Sequence, residues 1–369
     1  MIMTNLARWV PIASMLLLMG LGLFLMVQAL RDGAFRHTAP TSIAEVTDGE
    51  WTHAIEDELE RKVLIREPAI HLLNAFEYWL FGEARSGALA GTDGWLFSRE
   101  EFEWSAQSDG NLEAAFDAIT RGVSGLHERG IKVALAFVPA KSDIYQDQLG
   151  RYALPETAAE LYSRVLQTAA ATGADFVPNL STDLRAVRSQ TEVFLHTDTH
   201  WSVFGAGRAA ASLCALGAPV IENKLTFSTS LQAAIAHRGD LLNFLELGGF
   251  SFLMPVQTDL IAPVVAAREI DGADPLASLF GSEPAAIDIG LVGTSYSANP
   301  LWSFGDQIKI ACQSDLVAYA TDGDGPFEPM RSYLETIAKP NAVLPKLVIW
   351  EIPVRYLDDY SGQTLSALF

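Results

Sequence analysis

The stretch His196-Thr197-Asp198-Thr199-His200-Trp201-Ser202 places two imidazoles and one carboxylate within five residues, directly ahead of a predicted helix. Asp198 and His200 alternate along the chain, so in an extended segment their side chains leave the same side. A slight turn then lets the carboxylate accept a hydrogen bond from the imidazole. The sequence therefore predicts an oriented general base at this point.

A candidate nucleophile for this base lies in Gly293-Thr294-Ser295-Tyr296-Ser297. The apolar run Ile287 to Val292 before it is typical of a buried strand, whose end turns through small residues. Serine needs a base in contact and a third group that fixes the tautomer of that base. Ser295 thus completes a predicted Ser-His-Asp triad. Ser297 is a rival nucleophile, but its position two residues further into the turn suits a capping hydroxyl.

A metal site is the competing hypothesis for the first motif. His196, Asp198 and His200 stand at positions i, i+2 and i+4, so all three could ligate a metal from one side of a strand. This hypothesis leaves the serine turn unexplained. We therefore prefer the triad, with His196 as a supporting or packing residue, and expect neither metal nor cofactor.

Helices and strands alternate through most of the chain, which predicts an α/β domain with a parallel sheet covered on both faces. The predicted strands are 131–138, 175–177, 193–195, 287–292, 307–311 and 346–350, and the predicted helices are 112–126, 156–171, 203–216 and 328–338. Both chemical motifs directly follow predicted strands. Because ligands bind at the carboxyl ends of parallel strands, we expect both motifs at one edge of the sheet.

The N-terminal region predicts a membrane anchor. Val10 to Leu30 is a run of 21 uncharged residues, enough to cross ~30 Å of hydrocarbon at ~1.5 Å per helical residue. A cleaved signal peptide has a shorter apolar core and a small-x-small site, which this chain does not offer well. We predict a short cytoplasmic segment over 1–9, a linker with two helices over 31–90 and the catalytic domain over 91–369. Within that domain, an insertion over about 218–285 is expected to line the site.

Composition excludes several classes of protein. The chain has 369 residues and 49% apolar content, which supports a large core rather than disorder. Its formal net charge of −20 argues against binding nucleic acid or an anionic membrane surface, since both are bound through basic patches. Cys214 and Cys312 are too few for a disulfide framework. They are either two buried thiols or one bridge.

Several segments of the chain recur together in one known family. They are the N-terminal apolar span, Asp93-Gly94-Trp95-Leu96-Phe97, Asp198-Thr199-His200-Trp201, Arg238-Gly239-Asp240-Leu241-Leu242, Gly293-Thr294-Ser295-Tyr296-Ser297 and Glu351-Ile352-Pro353-x-Arg355-Tyr356-Leu357. As a set, covering nearly the whole chain, they resemble the alginate O-acetyltransferase family, the AlgJ/AlgX group of SGNH-hydrolase-like proteins. The resemblance is closer to the membrane-anchored AlgJ type, because no C-terminal carbohydrate-binding module follows. Ordinary SGNH hydrolases place the serine before the Asp and His, so the order here is fairly specific.

The resemblance implies a three-layer α/β/α domain in the periplasm, held by one helix in the inner membrane. Such a protein receives acetyl groups from a membrane-bound O-acyltransferase and places them, through an acetyl-serine, on exopolysaccharide hydroxyls such as those of alginate. Ser295, His200 and Asp198 match the family's triad residue by residue. Two alternatives remain open: a carbohydrate acetylesterase with the same triad, and a non-catalytic scaffold of an exopolysaccharide export complex.

Two features depart from the family pattern. The net charge of −20 fits poorly with anionic alginate, so a neutral polymer remains open as acceptor. The usual oxyanion residues are not recognisable by motif; the Ser295 N–H is the obvious first donor, and Gly239 or Asn299 could supply a second. The further substrate-facing candidates are Lys141, Arg238, Tyr296 and Arg355. The aromatic candidates for stacking on sugar are Trp95, Trp201, Tyr296, Trp302 and Tyr356.

Overall fold

The computed structural model describes residues 40–62, 66–82, 84, 87–253, 258–269 and 287–368, together with 15–17, 19–25, 27, 28 and 31. The chain divides into two compact units. One unit comprises Met1–Glu83 and Glu246–Pro255, and the other comprises Ala84–Leu245 and Val256–Phe369. The larger unit contains every residue that the sequence predicts to act in catalysis.

Within the described residues, helices and strands alternate along the larger unit, whereas the smaller unit is helical. The helices are α1 Ile43–Thr47, α2 Glu50–Lys62, α3 Arg66–Phe81, α4 Ser108–His127, α5 Lys141–Ile144, α6 Glu156–Ala169, α7 Leu180–Val187, α8 Val203–Gly217, α9 Ser295–Ala298, α10 Phe304–Cys312, α11 Phe327–Ile337 and α12 Gly362–Leu368. The strands are β1 Ala88–Ala90, β2 Leu96–Ser98, β3 Lys132–Val138, β4 Phe227–Leu231, β5 Ile235–His237, β6 Asp259–Ile261, β7 Val264–Arg268, β8 Ile289–Gly293, β9 Leu316–Ala320 and β10 Leu347–Pro353.

A parallel sheet of four strands forms the centre of the larger unit, in the order β3-β10-β8-β9. The two central strands are buried along their whole length, as is usual for a parallel sheet with helices on both faces. Strand β8 ends at Gly293, so the serine turn leaves the sheet at its carboxyl edge. Strand β10 lies between β8 and β3, and its end reaches the same edge.

Side chains of the sheet alternate between two cores. Ala134 and Ala136 of β3 pack in the core that contains α7, α8 and α10. Val133, Leu135 and Phe137 of the same strand pack in the core that contains α4, α6, α11 and α12. Successive strand residues point to opposite faces, so each face of the sheet carries its own helical layer. The predicted three-layer α/β/α fold is therefore confirmed.

Three predicted strands are wrong. The segment 307–311 is part of α10, because Phe304, Ile308 and Cys312 bury one face at helical spacing, and the fourth strand is β9 instead. A short apolar run cannot be assigned to helix or strand by periodicity alone. The segment 175–177 makes a single bridge, from Phe176 to Ala134. The segment 193–195 pairs only with the chain that returns from the His-Asp motif, through a bridge from Phe194 to Trp201.

The region predicted as an insertion contains two small antiparallel sheets. Strand β4 pairs with β7, and β5 pairs with β6. The second pair ends at His237 on one strand and begins at Asp259 on the other, which register opposite each other. Residues 270–286 of the insertion lie outside the described residues.

A disulfide joins Cys214 at the end of α8 to Cys312 at the end of α10. Of the two alternatives for the cysteines, the bridge is the one that forms. It closes a chain segment whose ends are 98 residues apart. This segment contains the insertion and the serine turn.

The predicted membrane span at 10–30 lies partly outside the described residues. Residues 15–17 and 19–25 are helical, and most of their large apolar side chains are exposed, with Leu17 at 72%. Among the described residues, Val203–Val220 also has the length and hydropathy of a membrane span. This second segment is mostly α8, whose Ala206, Ala210 and Leu213 are buried in the core of the larger unit. It is therefore a core helix.

Candidate active site

The serine turn follows β8 without a linker. Ser295 is the first residue of α9, a helix of four residues, and its side chain is nearly buried. Thr294 precedes it in extended conformation, and the Thr294 hydroxyl accepts a hydrogen bond from the Tyr296 N–H. Gly293 is required by close packing, since a Cβ there would stand 2.5 Å from a carboxylate oxygen of Glu351.

The base lies in contact with this serine. Ser295 Oγ donates to His200 Nε2 at 2.7 Å, and His200 Nδ1 donates to Asp198 Oδ1 at 2.6 Å. The backbone N–H of His200 also donates to Asp198 Oδ1 at 2.9 Å, so the two residues form a tight turn. This arrangement orients the imidazole and leaves Nε2 as the acceptor of the serine proton.

The second carboxylate oxygen of Asp198 binds two further donors. His237 Nε2 donates to Oδ2 at 2.7 Å, and the Asp240 N–H donates at 3.1 Å. Burial alone would raise the pKa of Asp198, but the hydrogen bonds from His200 and His237 outweigh burial and hold this pKa well below its usual range. The hydrogen bond that His237 donates to Asp198 raises the pKa of His237. Asp198 is therefore ionised near neutral pH.

The loop that carries Asp198 and His200 is fixed by other buried charges, because it does not follow a strand of the sheet. Asp259 accepts from the His196 N–H at 2.8 Å, the Thr197 N–H at 2.9 Å and the Thr197 hydroxyl at 2.6 Å. Lys141 Nζ donates to the carbonyls of His196 and Asp198 at 2.8 and 2.9 Å. Each group satisfies backbone atoms that would otherwise be buried without a partner.

Aromatic rings enclose the base. Trp302 stacks on the His200 ring with centroids 4.9 Å apart, and its Nε1 donates to the Ser295 carbonyl at 3.2 Å. Tyr296 lies 4.5 Å from the His200 ring, and its hydroxyl donates to the Thr199 carbonyl at 2.6 Å. These contacts restrict both the imidazole and the backbone on each side of it.

Two of the predicted substrate-facing residues lie in the interior instead. Lys141 is 1% exposed, and its ammonium contacts backbone carbonyls and the rings of Trp95 and Phe97. Burial lowers the pKa of Lys141 to about 8, against the attraction of nearby carboxylates such as Glu101. Tyr296 is 3% exposed and uses its hydroxyl within the protein. Both residues position the site from within.

The two predicted arginines differ in exposure. Arg238 is exposed, directly follows His237 and donates to Asn243 Oδ1 at 3.1 Å. Arg355 is 9% exposed, with its guanidinium 4.7 Å from the Tyr356 ring centroid and a hydrogen bond to the Tyr356 hydroxyl. Arg238 is thus the more accessible of the two.

The aromatic residues proposed to stack on sugar are mostly core residues. Trp95, Trp201, Tyr296 and Trp302 are at most 4% exposed. Tyr356 alone among the five candidates is partly exposed. The prediction of a sugar cleft lined by these rings is therefore wrong for four of them, because large aromatic side chains next to the motifs fill the space that supports the loop.

Backbone donors for an oxyanion are limited at the serine turn. The Thr294 N–H donates to Glu351 and the Tyr296 N–H to Thr294, whereas the Ser295 N–H has no partner in the described part of the chain. The Asn299 N–H donates to the Ser295 carbonyl, and its side-chain oxygen accepts from the Leu301 N–H. Gly239 packs so closely on the Thr197 backbone that any Cβ would overlap the Thr197 carbonyl.

The metal hypothesis fails in its original form. His196 points away from the other two residues, with Nδ1 3.5 Å from Asp259 and Nε2 3.3 Å from Glu192. In the part of the chain that the structure describes, Asp198, His200 and Asp240 do offer ligand atoms within 4.8 Å of one another. His200 Nδ1 already donates to Asp198, so an ion there would have to replace that hydrogen bond.

Sequence reasoning missed four residues that support the site. Asp240 and Glu351 stood in motifs that carry the family resemblance, but no pattern assigned them a role. His237 directly precedes one of these motifs. Asp259 had no signal, because its contact with the His-Asp loop spans more than 60 residues of sequence.

A three-layer α/β/α domain in which serine, histidine and aspartate are hydrogen-bonded in series defines an acyl-transfer enzyme of the SGNH-hydrolase-like class. A family model described as the SGNH hydrolase-like domain of the acetyltransferase AlgX matches residues 88–354, and the chain belongs to this family of O-acetyltransferases. The family and fold class predicted from the sequence are therefore confirmed.

Relatives of this chain carry a consistent name. A "Probable alginate O-acetylase AlgJ" of Pseudomonas syringae pv. tomato is 38% identical over 346 residues, which cover 91% of this chain and 86% of the relative. The protein of the same name from Pseudomonas aeruginosa is 38% identical over 324 residues, covering 84% and 80%.

Solved structures agree with the fold. The O-acetyltransferase domain of Pseudomonas putida AlgJ has a TM-score of 0.67 at 33% identity, covering 77% of this chain and 99% of that domain. Pseudomonas aeruginosa AlgX has a TM-score of 0.55 at 19% identity, covering 74% and 67%, and shares the fold. The catalytic roles of individual residues in this chain stay predictions.

We predict that His237→Gln lowers the free energy of unfolding by about 1–2 kcal/mol at pH 6, the size of a charge-assisted hydrogen bond. The pKa of His237 is higher in the folded state, so this stability is fully present below the unfolded pKa near 6.5 and is lost as pH rises through the folded pKa. The difference from wild type should therefore shrink at pH 9. Urea unfolding at both pH values measures it.

His53→Gln is the control for this prediction, because His53 pairs with Glu56 on the exposed face of α2. It should change stability little, and equally at both pH values. A His237→Gln effect that is larger at pH 9 than at pH 6 would contradict the coupling of His237 to Asp198.

Proposed function

We propose that this protein acetylates hydroxyl groups of an exopolysaccharide, alginate or a related polymer, through an acetyl-Ser295 intermediate. The observation that carries the proposal is the series of hydrogen bonds from Ser295 through His200 to Asp198, within a domain of an acetyltransferase family. Relatives at 38% identity named as alginate O-acetylases support the choice of polymer.

In the first half-reaction, His200 Nε2 takes the proton of Ser295 as Oγ attacks the acetyl carbonyl carbon of the donor. A bond forms from Oγ to that carbon, and the tetrahedral oxyanion accepts a hydrogen bond from the Ser295 N–H. The bond to the leaving group then breaks, and the leaving group takes the proton from His200. Asp198 stays ionised throughout, because its pKa lies far below neutral pH, and stabilises the imidazolium.

In the second half-reaction, a sugar hydroxyl replaces the leaving group. His200 removes its proton, the sugar oxygen attacks the acetyl carbon, and Ser295 Oγ leaves with the proton returned by His200. Transfer to sugar rather than to water requires that the acceptor be held close to the acyl-enzyme. Most of the nearby aromatic rings are buried, so we assign this holding to polar groups at the rim, with exposed Arg238 facing an acceptor carboxylate. Such a cation would attract an anionic acceptor locally, although the overall charge is −20.

We place the catalytic domain, residues 91–369, in the periplasm, with an inner-membrane helix at its N-terminal side and a membrane-bound O-acyltransferase as the source of acetyl groups. The apolar run at 10–30 supports the anchor. The Cys214–Cys312 disulfide supports an oxidising compartment, since disulfides are rare in the cytosol. A tethered domain meets a membrane partner at raised effective concentration.

We expect Ser295→Ala and His200→Ala each to lower acetyl transfer at least ~10³-fold, because triad members act as a unit. Labelling of the protein by a serine-directed sulfonyl fluoride, read by mass spectrometry, measures the nucleophile directly. Ser297→Ala is the matched control and should still be labelled at Ser295, although more slowly, because Ser297 Oγ donates to Glu351 and does not face His200. Undiminished labelling of the Ser295→Ala protein would show that another residue is the nucleophile.

Adding exopolysaccharide oligomers separates a transferase from an esterase. We expect the protein to hydrolyse a small activated acetyl ester slowly, and to divert acetyl onto sugar when alginate oligomers are present. Mass spectrometry of the oligomers after incubation with the ester detects the transfer. Oligomers that gain no acetyl, together with rapid loss of acetyl from pre-acetylated oligomers, would establish an esterase.

The anchor is tested by fractionation. We predict that the protein stays in the membrane fraction after a high-salt wash, because an uncharged 21-residue span partitions through apolar burial rather than charge. Mass spectrometry should show that the mature chain still contains residues 1–30. A mature N-terminus after residue 30 would instead indicate a cleaved signal peptide.

A further inference from the structure

Glu351 is a buried carboxylate that the mechanism above does not use. It lies near the carboxyl end of β10 and is 0% exposed. Trp350 pairs with Val292 of β8, which places Glu351 beside Gly293, where the chain leaves the sheet toward the nucleophile. Nothing in the transfer of an acetyl group requires a second carboxylate at this place.

The contacts of Glu351 lie on both sides of Ser295. On the N-terminal side, the Thr294 N–H donates to Oε2 at 2.8 Å, and the Thr294 hydroxyl donates to Oε1 at 3.0 Å. On the C-terminal side, the Ser297 hydroxyl donates to Oε2 at 2.9 Å. One side chain thus joins the residue before the nucleophile to the residue two positions after it.

We propose that Glu351 is a positioning residue for the nucleophile: its hydrogen bonds to Thr294 and Ser297 hold the serine turn so that Ser295 Oγ stays in contact with His200. This inference rests on the proposed role of Ser295 as nucleophile. Glu351 touches neither substrate nor Ser295 Oγ, so it acts only through the geometry of the turn.

The serine turn needs such support because α9 has only four residues. A helix of this length does not stabilise itself, and the amide groups at its start have no partners inside the helix. Glu351 supplies an acceptor for the buried Thr294 N–H and fixes the Ser297 hydroxyl. Gly293 allows the carboxylate to approach the backbone, since a Cβ there would stand 2.5 Å from Oε2.

The support does not depend on the charge of Glu351. Burial raises its pKa to about 7, opposed by the hydrogen bonds from Thr294 and Ser297 and by the imidazole of nearby His200, the titratable group that faces it. In the neutral carboxyl, Oε2 still accepts from the Thr294 N–H and Ser297, while a proton on Oε1 donates to the Thr294 hydroxyl oxygen. That oxygen has two lone pairs and can also keep its hydrogen bond from the Tyr296 N–H. Glu351→Gln reproduces this neutral form.

The experiment compares Glu351→Ala with Glu351→Gln in the full chain. The readouts are the rate of Ser295 labelling by a serine-directed sulfonyl fluoride, and kcat and KM for a small activated acetyl ester. We expect Glu351→Ala to lower the labelling rate and kcat about 30–100-fold, the scale expected for a misplaced reacting group, with KM within about twofold. Glu351→Gln should return both rates to within about fivefold of wild type.

Asp288→Ala is the matched control for Glu351→Ala. Asp288 is also a buried carboxylate that accepts hydrogen bonds from two backbone N–H groups and a side chain, those of Glu222 and Asn223. It precedes β8 and so lies at the opposite edge of the same sheet. We expect this variant to label Ser295 at the wild-type rate, which separates loss of a buried carboxylate in general from loss of the one under the turn.

Ser297→Ala provides an independent test that does not remove Glu351. We expect it to slow labelling about threefold to tenfold alone and to add nothing in the Glu351→Ala background, because both changes remove the same contact. If Glu351→Ala does not fold, Glu351→Asp, which withdraws the carboxylate by one methylene, takes its place with the same expected loss.

Several results would overturn the inference: Glu351→Ala labelled at the wild-type rate, Glu351→Gln as slow as Glu351→Ala, or Ser297→Ala fully additive with Glu351→Ala. A wild-type protein in which the probe labels a residue other than Ser295 would overturn the proposed function itself. The two failures are thus distinguishable in the same assay.

Discussion

The Asp198 carboxylate is the point on which the site depends. Its two oxygens accept hydrogen bonds from the backbone N–H and the ring of His200, from the ring of His237 and from the Asp240 N–H. These donors come from the His-Asp loop and from the insertion that follows α8. A buried carboxylate without these donors would be strongly destabilised, so the loop and the insertion must assemble around it together. The same hydrogen bonds that stabilise the buried Asp198 carboxylate therefore orient His200.

The central chemistry could be predicted from the sequence because it rests on local patterns. The alternation of Asp198 and His200 predicts their hydrogen bond, and the apolar run before Ser295 predicts the strand and the turn. Burial of long or aromatic side chains could not be predicted in the same way. Lys141 and Tyr296 have the chemistry of substrate-binding residues, but their partners are backbone carbonyls that only the folded chain brings near.

The remaining errors have a common cause, which is separation in sequence. The His-Asp loop does not follow a strand of the sheet. In place of strand pairing, the Asp259 carboxylate accepts hydrogen bonds from the backbone of this loop. No periodicity connects residues so far apart. The run 307–311 predicts a strand instead of part of helix α10, because five residues do not reveal the helical spacing of Phe304, Ile308 and Cys312. The contacts of buried polar residues are thus the part of the site that is hardest to predict from the sequence.

Among the described residues, the insertion binds the His-Asp loop at His237 to Leu241 and at Asp259. Gly239 lets its backbone lie against the Thr197 carbonyl, which no larger residue would permit. Strands β4 and β7 of the same insertion are largely exposed and make none of these hydrogen bonds, so their surface can change without removing a donor to Asp198. An exposed part of the insertion can therefore vary in sequence while the hydrogen bonds that orient the base are kept.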